Sequence, residues 1–559
     1  MKKYLVLALV PLMIITACDK KNNTLSSDNA SSSSSSEDEW SESIYQEPEL
    51  PEDIAIDYEL DDSSNEKGSM GYEVFVRSFY DGNGDGVGDL KGVEQKIPYL
   101  ANLGIKTVWL TPIHPSPTYH GYDVNDYYSV ASDLGTLDDF DSLVATASTY
   151  NVDIMLDMVF NHTSKYNPWF IQSYNDFKNG NHEEGSKIDW YTWANSAGGV
   201  CNVRYGSDST AWYEARFGES MPDLNYDCQE VRDEIENVMK FWIQDHGVKG
   251  FRLDAVKYYY YENVDKNVPV LTWLEETAHK YDPNFYMVGE CWSSNLVVNN
   301  YHKSKLDSFF RFEASYEGAV SITNVAKGRS KSSKFLDDVI LNVNMIKNNN
   351  PKGYPSYFIS NHDMNRSAYA FSNDYQAKAA ASLLAFLPGM SYMYYGEEIG
   401  LLGKRVTSPD DLSDARRRLP MIWSKTDKTG ECVFPEKTRP DLAKNTQVEE
   451  GVYDRLSENF SVLKHYRKAI NIRNKYNFIK QAKVESLIST LNTEFTDVMA
   501  YKLYNGEDYI IVVHNFNPNN VEVTAPGSEI KDTINTFHRI PKLEGGKLTL
   551  GAYSTVIMR

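Results

Sequence analysis

Short apolar runs alternate with longer amphipathic segments from residue 72 to residue 476. Apolar runs bounded by polar turns are typical of buried strands, and apolar positions three or four residues apart are typical of helices. The pattern predicts strands at 72–79, 106–111, 153–159, 249–254, 286–290, 307–312, 356–360 and 391–395. It predicts helices at 137–150, 231–246, 271–281, 335–347, 376–387 and 460–476. Strands and helices that alternate in this way predict an α/β fold, a (β/α)₈ TIM barrel.

Two segments depart from this repeat. Residues 163–222 are rich in Gly, Asn, Trp and Tyr, and a structureless loop of that length is unusual inside a domain. We therefore expect an inserted domain after the third strand, which divides the barrel into residues 68–162 and 223–477. Short alternating runs at 498–503 and 509–514 predict a C-terminal antiparallel β-sandwich over residues 478–559.

The first 67 residues form a different kind of sequence. Met1-Lys2-Lys3 and the apolar stretch that ends at Ile15 are typical of a signal peptide over residues 1–18. Ile15-Thr-Ala-Cys18 resembles the lipobox of bacterial lipoproteins, which implies lipidation of Cys18. Residues 19–67, with their serine run and many acidic residues, predict a disordered tether. We expect an extracytoplasmic protein of the cell envelope that meets a bacterial membrane only through its lipid anchor.

Composition narrows the choice of partner. The formal net charge is −22 and the sequence pI is about 5.0, which argues against nucleic-acid binding because that depends on Lys and Arg at phosphates. Aromatic residues make up 13% of the chain, and their flat faces suit sugars. We expect a monomer that acts on a neutral polymer. Cys201 and Cys228 could pair, a question that the sequence leaves open, whereas Cys291 and Cys432 have no obvious partners.

Three carboxylates follow predicted strands directly. Asp254 ends Gly250-Phe-Arg-Leu-Asp, Glu290 ends Tyr286-Met-Val-Gly-Glu, and Asp363 ends Phe358-Ile-Ser-Asn-His-Asp. A carboxylate after a buried strand is costly unless it faces a polar site, and all strand ends on one face of a barrel converge. Acids that converge on an uncharged substrate favour glycoside hydrolysis, in which two carboxyl groups flank the scissile bond.

Four ordered motifs resemble those of the α-amylase family of retaining glycoside hydrolases. They are Asp157-Met-Val-Phe-Asn-His162, Gly250-Phe-Arg-Leu-Asp-Ala-Val-Lys257, Val288-Gly-Glu290 and Asn361-His-Asp363. The resemblance implies that Asp254 is the nucleophile, Glu290 the general acid/base, and Asp363 a carboxylate that binds sugar hydroxyls and supports the transition state. Met221-Pro-Asp-Leu-Asn225 resembles the marker of an intermediate group of this family.

The resemblance also implies substrate contacts. His162 and His362 match histidines that hydrogen-bond the sugar, and Tyr119-His-Gly-Tyr122 matches a segment whose Tyr122 forms a stacking floor and whose His120 contacts the same sugar. Lys257 matches a residue that binds beyond the cleaved bond, whereas Tyr258 stands where many α-amylases have His. Tyr119 itself is nearer to α-amylases, because exo-acting α-glucosidases usually carry Asp there. Arg252 shares a strand face with Asp254, and its charge is expected to keep that carboxylate ionised.

The segment 81–89 predicts a calcium site. Its sequence, Asp-Gly-Asn-Gly-Asp-Gly-Val-Gly-Asp, alternates oxygen-bearing side chains with glycines, as calcium loops do. Some members of the α-amylase family bind calcium here, just after the first barrel strand. The expected ligands are Asp81, Asn83, Asp85, the carbonyl of Val87, and Asp89. A second family site, through Asn161, is frequently missing in the intermediate group and stays unassigned.

Three functions remain open from the sequence. The first is an endo-acting hydrolase of α-1,4 bonds in starch, glycogen or maltooligosaccharides. The second is a neopullulanase, cyclomaltodextrinase or α-glucosidase-like enzyme with mixed linkage specificity. Cyclomaltodextrinases generally carry an N-terminal β domain, whereas the region before residue 72 is expected to be a disordered tether, which disfavours that option. The third is a glucan-binding lipoprotein without catalysis, which the presence of all three acids disfavours.

Overall fold

A computed structural model describes residues 69–315, 318–407, 411–435, 447–536 and 541–559. The predicted signal peptide, Cys18 and the tether lie outside the described residues. In chain order, the strands are β1 (Met70–Val74), β2 (Thr107–Leu110), β3 (Asp153–Met158), β4 (Trp193–Ala194), β5 (Val203–Arg204), β6 (Trp212–Tyr213), β7 (Gly250–Leu253), β8 (Tyr286–Gly289), β9 (Ser308–Phe310), β10 (Tyr354–Phe358), β11 (Met390–Tyr394), β12 (Lys483–Ser486), β13 (Val498–Asn505), β14 (Asp508–Asn515), β15 (Val521–Thr524), β16 (Ile530–Ile534), β17 (Lys542–Glu544), β18 (Lys547–Leu550) and β19 (Thr555–Met558).

The α-helices of the same residues surround or follow these strands. They are α1 (Leu90–Leu103), α2 (Leu137–Thr149), α3 (Pro168–Asn179), α4 (Gln229–Lys240), α5 (Val264–Tyr281), α6 (Asn295–Tyr301), α7 (Ile322–Ala326), α8 (Ser332–Asn349), α9 (Asp374–Phe386), α10 (Val452–Ser457) and α11 (Val462–Asn474). A π-helical turn, Phe241–Asp245, continues α4. None of the helices within the described residues has both the length and the apolar character needed to cross a membrane.

Eight parallel strands close the barrel in the order β1-β11-β10-β9-β8-β7-β3-β2. Each strand overlaps one of the strands predicted from the apolar runs, although β1 ends at Val74 and a 3-10 turn, Val76–Ser78, occupies the rest of the run predicted at 72–79. The predicted fold class is confirmed. Because every strand is parallel, the residues that follow β3, β7, β8 and β10 emerge at one end of the barrel. The barrel interior is packed with large side chains, including Trp109, Phe310 and Tyr392.

Helix α1 was not among the predicted helices. Gly92 and Pro98 interrupt its apolar pattern, and both residues are weak helix formers. The helix forms because its first turn is capped, since the Asp89 carboxylate accepts a hydrogen bond from Gly92 N. The close approach also needs glycine, because a Cβ at position 92 would lie 1.8 Å from the Tyr80 carbonyl oxygen.

The chain between β3 and α4 forms a small structure of its own. Helix α3 is followed by a three-stranded antiparallel sheet in the order β4-β6-β5. Isolated bridges between His162 and Asp223 and between Tyr191 and Leu224 join it to the end of β3. Cys201 and Cys228 are both free thiols here, as are Cys291 and Cys432, so the pairing that the sequence left open does not occur.

Two antiparallel sheets follow the barrel. One has the order β12-β13-β14-β19-β16 and the other the order β15-β18-β17. Alternate residues of both sheets, such as Val498, Val513, Val523 and Leu548, form a separate apolar core. The strands predicted at 498–503 and 509–514 correspond to β13 and β14, and the predicted C-terminal antiparallel β domain is confirmed.

Arg473 on α11 is a buried cation whose hydrogen bonds link the segments that precede the first and last barrel strands. Its guanidinium donates to the carbonyls of Ala385, Leu387 (2.8 Å) and Gly389 (2.6 Å) ahead of β11, and to Ser69 Oγ (2.8 Å) ahead of β1. The side chain is 1% exposed. One residue therefore joins the first and last strands of the barrel to the last helix.

We predict that Arg473→Met lowers the free energy of unfolding by about 3 kcal/mol, because several buried carbonyls lose a charged donor. Urea denaturation followed by circular dichroism measures the change. Lys240→Met, at an exposed lysine on α4, is the matched control and is expected to stay within about 0.5 kcal/mol of the parent. Equal stability of the two variants would contradict the closing role of Arg473.

Candidate active site

A cavity of about 460 Å³ opens at the carboxyl end of the barrel strands. It collects most of the residues predicted from the motifs, although they come from widely separated parts of the chain. Its walls are formed by His120, Tyr122, His162, Phe217, Met221, Asp254, Ala255, Lys257, Tyr258, Glu290, Trp292, Asp363, Asp414 and Arg418. The three predicted catalytic acids therefore face one space.

Asp254 and Glu290 meet at a single guanidinium. Arg252 Nη1 lies 2.7 Å from Asp254 Oδ1, and Arg252 Nη2 lies 3.6 Å from Glu290 Oε2. The same Nη1 lies 2.7 Å from Asp157 Oδ1 on the neighbouring strand β3. Arg252 is 1% exposed and sits under the cavity rather than in its wall. The two acids that the sequence placed 36 positions apart are thus fixed by one buried cation.

The backbone at the end of β7 also holds Glu290. Ala255 has a left-handed conformation with φ of 51°, which is uncommon for a residue with a Cβ. This turn directs Ala255 N toward Glu290 Oε2, to which it donates at 2.8 Å. Glu290 thereby receives a backbone hydrogen bond that fixes one of its oxygens and leaves the carboxyl group in the cavity wall.

Burial governs the protonation of both acids. It raises the pKa of Asp254 to about 6, an effect that the Arg252 charge opposes and the Asp157 charge increases. Burial also raises the pKa of Glu290, and Asp254 and Asp363 add to the rise against Arg252. Because Arg252 lies 2.7 Å from Asp254 but 3.6 Å from Glu290, the arrangement favours ionisation of Asp254 over that of Glu290, which is the division of roles that a retaining hydrolase needs.

Asp363, the third acid of the cavity wall, is held by two other basic side chains. His362 Nε2 lies 3.0 Å from Asp363 Oδ2, and Arg418 Nη2 lies 3.1 Å from Asp363 Oδ1. Although burial acts in the other direction, the charges of His362 and Arg418 hold the pKa of Asp363 well below its usual range. Asp363 is therefore a carboxylate across the whole working range of pH.

Tyr122 forms the floor between these groups. Its hydroxyl donates to Asp157 Oδ2 at 2.8 Å, and its ring stacks on His362 with centroids 5.4 Å apart. Tyr119 does not line the cavity, since its half-buried ring packs against Phe75 with centroids 5.3 Å apart. The segment 119–122 therefore supplies one cavity tyrosine and one supporting tyrosine.

Three of the remaining residues predicted to contact sugar line the cavity, and a fourth lies beneath its wall. His120 and Lys257 reach the cavity, where Lys257 Nζ donates to the Trp292 carbonyl at 3.0 Å. His162 also lines it, and burial lowers the pKa of His162 to about 4, so the ring is neutral. His362 has no exposed surface and lies beneath the wall. The contacts of these side chains with sugar stay predictions.

Sequence reasoning missed several cavity residues. Phe217 and Trp292 are 42% and 43% exposed, and the Trp292 ring stacks on Phe312 with centroids 4.6 Å apart. Asp414 and Arg418 come from the segment after β11, in which no motif was recognised. Trp292 follows Glu290 by two residues, so its position next to an assigned acid was the one available signal.

The loop 81–89 is wound around its own carboxylates. Asp81 Oδ1 accepts from Gly84 N at 2.6 Å, and its Oδ2 accepts from Gly86 N at 2.7 Å. Asp89 Oδ2 is buried without a hydrogen-bond partner, as suits an oxygen that ligates a cation. In the same turn, Asn83 Oδ1 accepts a hydrogen bond from Asp85 N, and Asp85 Oδ1 accepts one from Val87 N. No cluster of three His, Cys, Asp or Glu side chains placed for a metal occurs among the described residues, so a calcium ion here would need amide and carbonyl oxygens as well.

Comparison with known sequences decides the family. The profile described as "Alpha amylase, catalytic domain" matches residues 73–482, and that described as "Alpha-amylase SusG C-terminal domain" matches residues 498–557. The chain belongs to the α-amylase family. The resemblance inferred from the four motifs is therefore confirmed, and the chain is an α-glucan hydrolase of this family.

Individual relatives carry different names. "Alpha-amylase 3" of Dictyoglomus thermophilum is 34% identical, over 88% of this chain and 93% of that protein. "Glucan 1,6-alpha-glucosidase" of Streptococcus pneumoniae is 29% identical, over 82% of this chain and 92% of that protein. Among solved structures, Eubacterium rectale Amy13B has a TM-score of 0.80 with 32% identity, over 88% of this chain and 95% of that one. These relatives support the family assignment, but their names differ, and only some of the names specify a linkage.

We predict that hydrolysis is lost as the pH falls through about 6, because Asp254 must be ionised and burial raises its pKa to about 6. The pH profile of kcat/KM on a maltooligosaccharide measures this acid limb. An acid limb near pH 4, the ordinary range of an aspartate, would show that Arg252 outweighs burial.

Proposed function

We propose that this chain is an endo-acting, retaining α-glucan hydrolase that cleaves α-1,4 bonds in starch, glycogen or maltooligosaccharides. The observation that carries the proposal is the contact of Asp254 and Glu290 with one guanidinium at the wall of one cavity. Retaining hydrolysis needs two carboxyl groups about 5 Å apart on either side of the scissile bond. The closer contact of Arg252 with Asp254, and the burial that raises the pKa of Glu290, support the same assignment of roles.

The reaction follows from these positions. The Asp254 carboxylate attacks the anomeric carbon while Glu290 gives its proton to the glycosidic oxygen, which leaves with the leaving-side glucan. Glu290 then removes a proton from water, and the water oxygen replaces Asp254 at the anomeric carbon, so that two inversions retain the configuration. Asp363, kept ionised by His362 and Arg418, is placed to accept hydrogen bonds from sugar hydroxyls.

Three observations support endo action on α-1,4 bonds. Tyr119 stands where exo-acting α-glucosidases usually carry Asp, and it packs away from the cavity. Exposed aromatic rings, Phe217 and Trp292, line the cavity, and such rings give sugars apolar faces to stack on. A relative that matches nearly the whole chain is named an α-amylase.

A second candidate is hydrolysis of α-1,6 or mixed linkages. It is favoured by the names of relatives such as "Oligo-1,6-glucosidase" of Bacillus cereus, which is 26% identical over 88% of this chain. The neopullulanase and cyclomaltodextrinase activities belong to the same alternative. A glucan-binding protein without catalysis is disfavoured, because all three acids face the cavity.

Products from amylose, pullulan, isomaltose and cyclodextrin distinguish these candidates. We expect rapid shortening of amylose into a spread of oligosaccharides, with little release from isomaltose or pullulan. Asp254→Asn is the control, since it keeps the size of the side chain and removes the nucleophile, and it is expected to lose at least about 10³-fold in kcat. Glucose as the first product, or isomaltose as the better substrate, would refute endo α-1,4 action.

Calcium in the loop 81–89 is part of the proposal. Asp81, Asn83, Asp85, the Val87 carbonyl and Asp89 would hold the ion, and the unpartnered Asp89 Oδ2 supports this assignment. The ion would neutralise clustered acids between β1 and α1, which is a structural contribution.

We predict that chelation with EDTA lowers the melting temperature by roughly 5 °C and that added calcium restores it. Asp81→Asn is expected to melt lower and to respond less to EDTA. Asp126→Asn, at an exposed turn where the carboxylate accepts from Tyr128 N, is the matched control and is expected to respond as the parent does. An unchanged melting temperature with no calcium found by elemental analysis would refute the site.

We further propose that Cys18 is lipidated and anchors the enzyme to a bacterial membrane in the cell envelope, outside the cytoplasm. The segment Ile15-Thr-Ala-Cys18 and the acidic, serine-rich residues 19–67 support this location.

A further inference from the structure

We propose that Glu73, at the end of strand β1, is a positioning residue that holds His362 as an imidazolium beneath the active site. Glu73 Oε1 lies 2.5 Å from His362 Nδ1 and 3.3 Å from His362 N. The two residues are 1% and 0% exposed and come from opposite ends of the barrel sequence. Neither the motifs nor the cavity wall pointed to Glu73.

The hydrogen-bond pattern requires a proton on each ring nitrogen. His362 Nδ1 faces the Glu73 carboxylate, which only accepts. His362 Nε2 lies 3.0 Å from Asp363 Oδ2 and 2.7 Å from the Tyr122 hydroxyl, whose own proton goes to Asp157. A neutral histidine would leave one nitrogen lone pair facing carboxylate oxygen, whereas an imidazolium donates from both sides.

The charges around the pair are consistent with a cation. Burial alone would lower the pKa of His362, but the charges of Asp363 and Glu73 raise it to about 9. Asp157 on β3 is a third acid whose charge interacts with the ring, and Tyr394 of β11 faces Glu73. On the other side, Arg418 Nε donates to the His362 carbonyl at 3.2 Å, and Arg252 and Arg418 both act on Asp363.

His362 affects catalysis through two side chains that line the cavity, Asp363 and Tyr122. An imidazolium keeps Asp363 ionised and fixes its Oδ2, and it orients the Tyr122 hydroxyl toward Asp157, which in turn binds Arg252. Loss of the His362 proton would release both interactions at once. Glu73 therefore influences the site without contacting substrate, and this kinetic part of the inference rests on the roles proposed for Asp254, Glu290 and Asp363.

The charge of His362 can be measured without substrate. In ¹⁵N-histidine-labelled protein, with His362 assigned through the loss of its signals in His362→Gln, we expect both ring nitrogens to stay protonated from pH 6 to about pH 8.5. This measurement needs no variant of Glu73 and is independent of the linkage cleaved. A neutral His362 ring at pH 7 in the parent protein would overturn the proposal.

Glu73→Gln tests the source of the charge. Since an opposite charge at this distance shifts a pKa by about 1 to 3 units, we expect the pKa of His362, followed through its ring ¹⁵N signals, to fall by at least about one unit. At pH 6 we expect kcat within about threefold of the parent, and Glu73→Asp is expected to restore part of the pKa of His362.

Glu275→Gln is the matched control, because Glu275 on α5 is also buried but belongs to a separate group with His279 and Asp307. It is expected to leave the pH profile unchanged. A pKa of His362 that is unchanged in Glu73→Gln, or a uniform loss of activity at every pH, would assign Glu73 a merely structural role and overturn the proposal.

Discussion

The buried guanidinium of Arg252 is the interaction on which the site depends. It contacts Asp157, Asp254 and Glu290 from three neighbouring strands, and it has almost no contact with solvent. Three buried carboxylates at this distance would repel one another without a cation between them. Because Arg252 sits below the cavity, it stabilises the acids without occupying space that a sugar needs. The sheet provides this arrangement, since β3, β7 and β8 are parallel neighbours and their carboxyl ends lie side by side.

A second group of basic side chains stabilises the third acid of the cavity. His362 and Arg418 hold Asp363 as Arg252 holds Asp254, and Tyr122 links the two groups through Asp157. The three acids consequently differ in protonation although they share one cavity. Asp363 is strongly ionised, Asp254 titrates near 6, and Glu290 is shifted toward its neutral form. Neighbouring charges and burial, rather than residue type, distinguish their chemistry.

The sequence predicted the parts of this structure that depend on local pattern. All eight barrel strands could be found because each is a short apolar run, and Asp254, Glu290 and Asp363 could be found because each follows such a run. Helix α1 was missed, since Gly92 and Pro98 hide its pattern and its cap is a side chain from the preceding loop. Glu73, Asp414 and Arg418 were missed for another reason. Their roles arise from side-chain contacts between distant segments, and no spacing along the chain encodes that Glu73 meets His362 or that the segment after β11 turns over the cavity.

The pairing of β1 with β11 also sets the order in which the protein can assemble. Strand β1 leaves the ribosome early, yet its partner on one side follows more than 300 residues later, and Glu73 meets His362 across a separation of 289 residues. Contacts at such separations carry a large loop-closure entropy and form late. The charge network under the cavity is therefore completed only when the barrel closes. A nascent or partly opened chain would keep the contacts of Arg252 with β3, β7 and β8 but would lack the Glu73–His362 pair, so that the charge of His362 reports on closure of the whole barrel.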